Sequence, residues 1–130
     1  MEHIPAMPST RASGKHYEEE AAAYLEAHGF RIIERNFRCR IGEIDLIARD
    51  MSGSEPVLVF AEVKFRTSPE CAGGPLMAVG IRKQRTISRT AQYYLIKNGL
   101  SETGTPCRFD VIAITPGKLT HVRDAFPCRA

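Results

Sequence analysis

The chain has 130 residues, 43% of them hydrophobic and 25% charged, which excludes a disordered, collagenous or low-complexity protein. That length predicts one domain around one core, and no run approaches the ~18 apolar residues of a membrane span. Lys+Arg is 18 and Asp+Glu is 15, so the net charge of +3 permits an anionic partner without demanding one.

Residues 1–13 carry two prolines and no apolar run, and read as a flexible arm before a single domain over 14–126 and a short tail over 127–130. With no secretory leader legible, Cys39, Cys71, Cys107 and Cys128 are expected as reduced thiols in a cytoplasmic protein. None forms a C-x-x-C pair or stands at zinc-ligand spacing from a histidine.

Tyr17, Ala21, Tyr24, Leu25 and His28 share one face of a helix predicted over Lys15–His28, which Gly29 stops. Strands follow over Phe30–Arg38, Glu43–Asp50 and Val57–Arg66, the last two joined by a turn over Met51–Pro56. In the second strand Ile44, Leu46 and Ala48 alternate with Glu43, Asp45, Ile47 and Arg49. Gly73-Gly74-Pro75 opens a helical segment that Gly80 divides, and Gln84, Ile87, Ala91, Tyr94 and Leu95 form its buried stripe up to Asn98-Gly99. Strands over Cys107–Thr115 and Lys118–Phe126, around Pro116-Gly117, complete the order α-β-β-β-α-β-β. That order predicts an α/β fold, a mixed sheet flanked by helices. His16, His28 and His121 have no partner at a telling spacing and read as surface residues.

The chemistry is concentrated around the Met51–Pro56 turn. If Asp50 pairs with Val57, the antiparallel register brings Asp45 opposite Glu62, with Lys64 two residues on and on the same face. Two close carboxylates repel unless a cation lies between them, and all-oxygen ligands suit a hard ion such as Mg²⁺. Such an ion with a neighbouring lysine can promote phosphodiester hydrolysis. The plainer alternative is a cross-strand salt bridge.

The runs Gly42-Glu43-Ile44-Asp45-Leu46-Ile47-Ala48 and Val59-Phe60-Ala61-Glu62-Val63-Lys64 resemble the PD-(D/E)xK nuclease superfamily. The chain most resembles the YraN family (uncharacterised protein family 0102), small bacterial proteins related to archaeal Holliday-junction resolvases. Further matching residues are Gly14, Glu18, Ala21-Ala22, Tyr24-Leu25, Asn36-Phe37-Arg38, Lys83-Gln84 and Phe109-Asp110-Val111. The resemblance implies a restriction-endonuclease-like fold, Asp45 and Glu62 as ligands of Mg²⁺ or Mn²⁺, Lys64 as the catalytic lysine and Glu18 as a third carboxylate. Glu20 stays open as an alternative to Glu18, and both could be solvated helix residues. Tyr17 stands where the family usually has glycine, and Phe65 where a small hydroxyl residue is usual.

Arg82, Arg85 and Arg89 share a helix face that is either solvated or tracks phosphates. Lys83 by resemblance, and Arg38, Arg40 and Arg66 by their places at strand ends, are further candidates for nucleic-acid contacts. Asp110 reads as a structural salt-bridge residue. The expected function is a metal-dependent endonuclease acting on DNA, branched or single-stranded, with a homodimer attractive for symmetric cutting. The alternatives are a non-catalytic nucleic-acid-binding module and a metal-free interaction protein.

Overall fold

The computed structural model describes residues 10–66 and 79–129. Of the arm expected over 1–13, residues 10–13 belong instead to the first helix, while residues 1–9 and the helical opening at Gly73-Gly74-Pro75 lie outside the described residues. The elements are α1 (Thr10–Ala27), β1 (Phe30–Arg38), β2 (Glu43–Asp50), β3 (Val57–Phe65), α2 (Ile81–Lys97), β4 (Cys107–Thr115) and β5 (Lys118–Phe126). The α-β-β-β-α-β-β order is the expected one. Helix α1 begins about a turn earlier than its apolar periodicity suggests.

The five strands form one sheet in the order β1-β2-β3-β4-β5. Only β3 and β4 run parallel; the other neighbours are antiparallel. A parallel pair needs a long crossover, and α2 supplies it. The two helices cover opposite faces of the sheet. Leu46, Ala48, Val59, Ala61, Ile112 and Ile114 pack with Ala21, Ala22 and Leu25 of α1. Ile47, Leu58, Phe60, Phe109 and Val111 pack with Ile87, Ala91, Tyr94 and Leu95 of α2. The strands from β2 to β4 are therefore apolar on both faces, as expected of a sheet between two helical layers. Gly42 marks a close approach between the layers. A Cβ there would stand 2.7 Å from Thr86 Cγ2 and 3.1 Å from Thr90 Oγ1.

One expectation about faces fails. Ile44 packs in the α2 layer with Phe37 and Ile47, not with Leu46 and Ala48. Strand β1 has a register shift between Ile32 and Glu34, and Asn36 sits at φ 52°. Such irregularities increase local twist, so strict alternation does not carry across this end of the sheet.

A second correction concerns His121. Its side chain is 3% exposed, not on the surface, and its Nε2 lies 2.8 Å from Asp110 Oδ2. The rings of Tyr24 and Phe30 meet it edge-on, with centroids 5.6 Å away in both cases. Sequence spacing misses this because the partners come from α1, β1 and β4. Asp110 is the structural salt-bridge residue it was expected to be. It pairs with Arg108 (2.9 Å) and accepts the Asp124 N–H at 3.0 Å. Burial raises its pKa, but the bonds from His121, Arg108 and Asp124 outweigh that and hold it below the usual carboxylate value.

Candidate functional site

The β2–β3 hairpin has the register its turn implies: Asp50 pairs with Val57, and the ladder continues to Leu46 opposite Ala61. Asp45 and Glu62 are the next positions. Pairing stops there, and the Val63 N–H donates instead to Asp45 Oδ2 at 2.8 Å. The carboxylates thus stand where β2 and β3 part, at an end of the sheet that both helices reach.

From α1 comes Glu18, half-buried while Glu19 and Glu20 are exposed. It stands near enough to Asp45 to raise that residue's pKa, by its charge and by hydrogen bonding. Of the two acidic alternatives on the helix, Glu18 is the one brought to Asp45. From α2 comes Lys83, with Nζ 3.6 Å from Glu62 Oε1. The same side of β3 carries Lys64, two residues from Glu62.

The electrostatics are strongly unbalanced. Burial, the Glu62 charge and Glu18 push Asp45 from 3.8 to about 8, and the Val63 N–H only partly offsets them. Burial also raises Glu62, against the pull of Lys83 and Lys64, with Glu43 adding to the rise. Burial lowers Lys64, helped by Arg66 and Lys83 and opposed by Glu62. A cluster of carboxylates held out of water and short of cations takes up either protons or a metal ion.

The remaining candidates divide. Arg82, Arg85 and Arg89 are all exposed on α2, as is Arg40 near the turn after β1. Arg38 Nε pairs with Glu43 Oε2 at 3.0 Å, with both side chains largely in solvent. Arg66 Nη1 donates to the Phe65 carbonyl at 2.9 Å. Lys83, which the resemblance places near the site, is brought to Glu62. Glu43 lies in the strand and in the resembling run, with no site role expected of it. Its position two residues before Asp45 in the strand was the available signal that it adds negative charge here.

The profile of the Uncharacterised protein family UPF0102 matches residues 17–114. This chain belongs to that family. It is 47% identical over 116 residues to a UPF0102 protein of Lachnoclostridium phytofermentans, covering 89% of this chain and 93% of that one. A UPF0102 protein of Ralstonia pickettii is 41% identical over 126 residues, covering 95% and 96%. Among solved structures, SfsA of Pyrococcus furiosus in complex with Ca²⁺ overlaps 88% of this chain and 64% of its own. That overlap has 18% identity and a TM-score of 0.33, too low to establish a shared fold.

Both site runs, Gly42–Ala48 and Val59–Lys64, fall inside the matched span of this UPF0102 chain, as does Glu18. Among the described residues no helix is long and apolar enough to cross a membrane.

Proposed function

We propose that this UPF0102 protein is a metal-dependent endonuclease that hydrolyses DNA phosphodiesters. The observation that carries the reading is the convergence of Asp45, Glu62 and Glu18 where β2 and β3 part, with Asp45 pushed up to about 8 by burial and by the other two carboxyls. A buried acidic cluster of this kind is costly without a cation, and perturbed carboxylates gather at catalytic sites.

The donor set fits Mg²⁺ or Mn²⁺. Mg²⁺ takes one or two carboxylates and completes its shell with water and substrate phosphate. Among the described residues no three His, Cys, Asp or Glu side chains are grouped so that they could hold a metal ion together, so the reading needs two carboxylates, with water and phosphate filling the shell. Asp45 and Glu62 would hold the ion, which when bound polarises the phosphate and acidifies nearby water. Lys64, on the same side as Glu62, would orient the attacking water and offset charge developing on the phosphate. Glu18 would hold Asp45 through the hydrogen bond between their carboxyls. Lys83 partly neutralises Glu62 before the ion arrives. The exposed Arg82, Arg85 and Arg89 would follow the DNA backbone.

The test is cleavage of branched, flapped and single-stranded DNA with Mn²⁺, beside the variants Glu62→Ala, Asp45→Asn and Lys64→Ala. Cleavage should vanish in all three while DNA affinity stays within a few-fold. The triple change of Arg82, Arg85 and Arg89 to Ala should weaken binding and reduce the salt slope by about one for each lost phosphate contact. Cleavage that survives in Glu62→Ala refutes the site. Salt-dependent binding with no cleavage under any metal would leave a binding module instead.

A further inference from the structure

Two thiols lie outside the carboxylate cluster, and the proposed hydrolysis does not use them. Cys107 opens β4, and Cys128 follows the end of β5 by two residues. Phe109 and Phe126 are direct partners in the β4–β5 ladder, with rings stacked at 5.0 Å and 14° apart in plane. Cys107 stands two residues before Phe109, and Cys128 two residues after Phe126. The ladder ends at that pair; one further step of the same register past the end of β5 would set the cysteines opposite one another, on the face that carries the two rings.

The surroundings agree with the register. Both cysteines line one cleft of about 170 Å³ together with Phe109, Phe126 and Ser88. Both are exposed, and both thiols are free. Opposed Cα atoms in an antiparallel pair are about 4.5–5.5 Å apart, inside the roughly 4.4–6.8 Å that a disulfide spans. The Cys107 thiol donates to the Thr105 carbonyl at 3.1 Å and would give up only that bond.

We propose that Cys107 and Cys128 form a reversible intramolecular disulfide on exposure to a low-molecular-weight disulfide. The chemistry is thiol–disulfide exchange. One cysteine thiolate attacks the reagent, forming a mixed disulfide and releasing one small thiol. The second thiolate then attacks the protein sulfur of that mixed disulfide, forming the Cys107–Cys128 bond and releasing the second small thiol. Two protein thiols are oxidised, one reagent disulfide is reduced, and the two protons leave on the released thiols.

The bridge would fasten a segment that already braces α2. The Arg129 N–H donates to Ser88 Oγ at 2.9 Å, and Arg129 Nε donates to Gln84 Oε1. Gln84 in turn donates to the Val79 carbonyl at 2.7 Å, just before the helix, and its neighbour Lys83 reaches Glu62. Closing the disulfide would therefore hold the start of α2 more firmly. This proposal is independent of whether the chain cleaves DNA.

The test treats the folded full chain with oxidised glutathione and maps its peptides by mass spectrometry without reduction. The expected product is the Cys107–Cys128 cross-link, reversed by excess thiol, with no glutathione on either residue. In Cys128→Ser, Cys107 should instead retain one glutathione. The oxidised protein should melt at least about 5 °C higher, because the cross-link restricts the unfolded chain. Amide exchange should also slow in the first turns of α2. Glutathione on both cysteines without a cross-link overturns the pairing, as does a bridge to Cys39 or Cys71, or a cross-link that forms only in denaturant. A cross-link that leaves exchange in α2 unchanged overturns the bracing.

Discussion

Strand β2 carries an aspartate near each end, and the two have opposite surroundings. Asp50 accepts the Ser52 N–H at 2.9 Å and the Ser52 hydroxyl at 2.6 Å. Arg108 pairs with it at 2.8 Å, and Arg123 approaches to 3.6 Å. Burial raises its pKa, yet these partners outweigh burial and bring it from 3.8 to about 2. Asp45 has one backbone donor and two carboxyl neighbours, and its pKa rises to about 8. The same residue on the same strand thus shifts either way, according to whether cations are supplied. Around Asp50 the protein supplies its own, so that end reads as structure. Around Asp45 the supply falls short, which is the feature on which the proposed metal site rests.

The largest expected effect lies at the balanced end. Arg108 joins Asp50 to Asp110, and burial works against its charge while both carboxylates favour it. Arg108→Leu would leave two buried carboxylates without the cation they share. Losing one member of a buried ion pair costs about 3–5 kcal/mol, so urea denaturation should show a loss of that order. A loss below about 1 kcal/mol would mean that water already screens this network, and the contrast with Asp45 would shrink.

Next comes a pH test in which the two ends have opposite signs. For Asp45 the folded state holds its proton up to about pH 8, while the unfolded chain releases it near 3.8. The folded state binds more protons across that window, so this group's contribution to stability falls as pH rises through it. Asp45→Asn should therefore melt higher than the parent at pH 9, by several degrees or roughly 1 kcal/mol and more. Asp50 behaves the other way. Its folded pKa is depressed, so its contribution is complete above about pH 4 and is lost as pH falls towards 2. Asp50→Asn should be destabilised at pH 7 and converge on the parent near pH 2. Melting curves of both variants from pH 2 to 9 check this. Parallel profiles would remove the contrast.

The two clusters also differ in how far they can be read from sequence. Asp45 and Glu62 are legible because a short turn sets the register of a hairpin, and Asp50 does pair with Val57. Glu18 is not legible from spacing alone. Its contact depends on how α1 docks across the sheet, and it entered through a family resemblance. The same holds for Lys83: its contact with Glu62 joins a helix to a strand far away in the chain, and only the family resemblance puts it near the site. The network of Asp50, Arg108, Asp110 and His121 left almost no local trace. It depends on a register shift between Phe109 and Val111, and on Asp124 at φ 53° turning its N–H onto Asp110. Order, strand pairing and core stripes follow periodicity; face changes at irregular strands and contacts between layers do not.

The smallest effect concerns two residues flanking the unbalanced end. By the resemblance, Tyr17 and Phe65 are, with Ile44, positions where this chain departs from the expected residues. Their rings stack at 3.7 Å between centroids and 15° between planes. Tyr17 precedes Glu18 and Phe65 follows Lys64, so the stack ties the helix bearing one site residue to the strand bearing another. The two departures act as one contact: a large ring on α1 needs a large partner on β3. Aromatic pairs contribute about 0.5–1.5 kcal/mol beyond area burial, so a double-mutant cycle of Tyr17→Gly and Phe65→Thr should give a coupling of about 1 kcal/mol. The two single losses together should exceed the loss in the double change by that amount. If the two losses simply add, the rings are neighbours without mutual dependence, and the placement of Glu18 beside Asp45 rests on the carboxyl hydrogen bond and the Ala21, Ala22 and Leu25 packing alone.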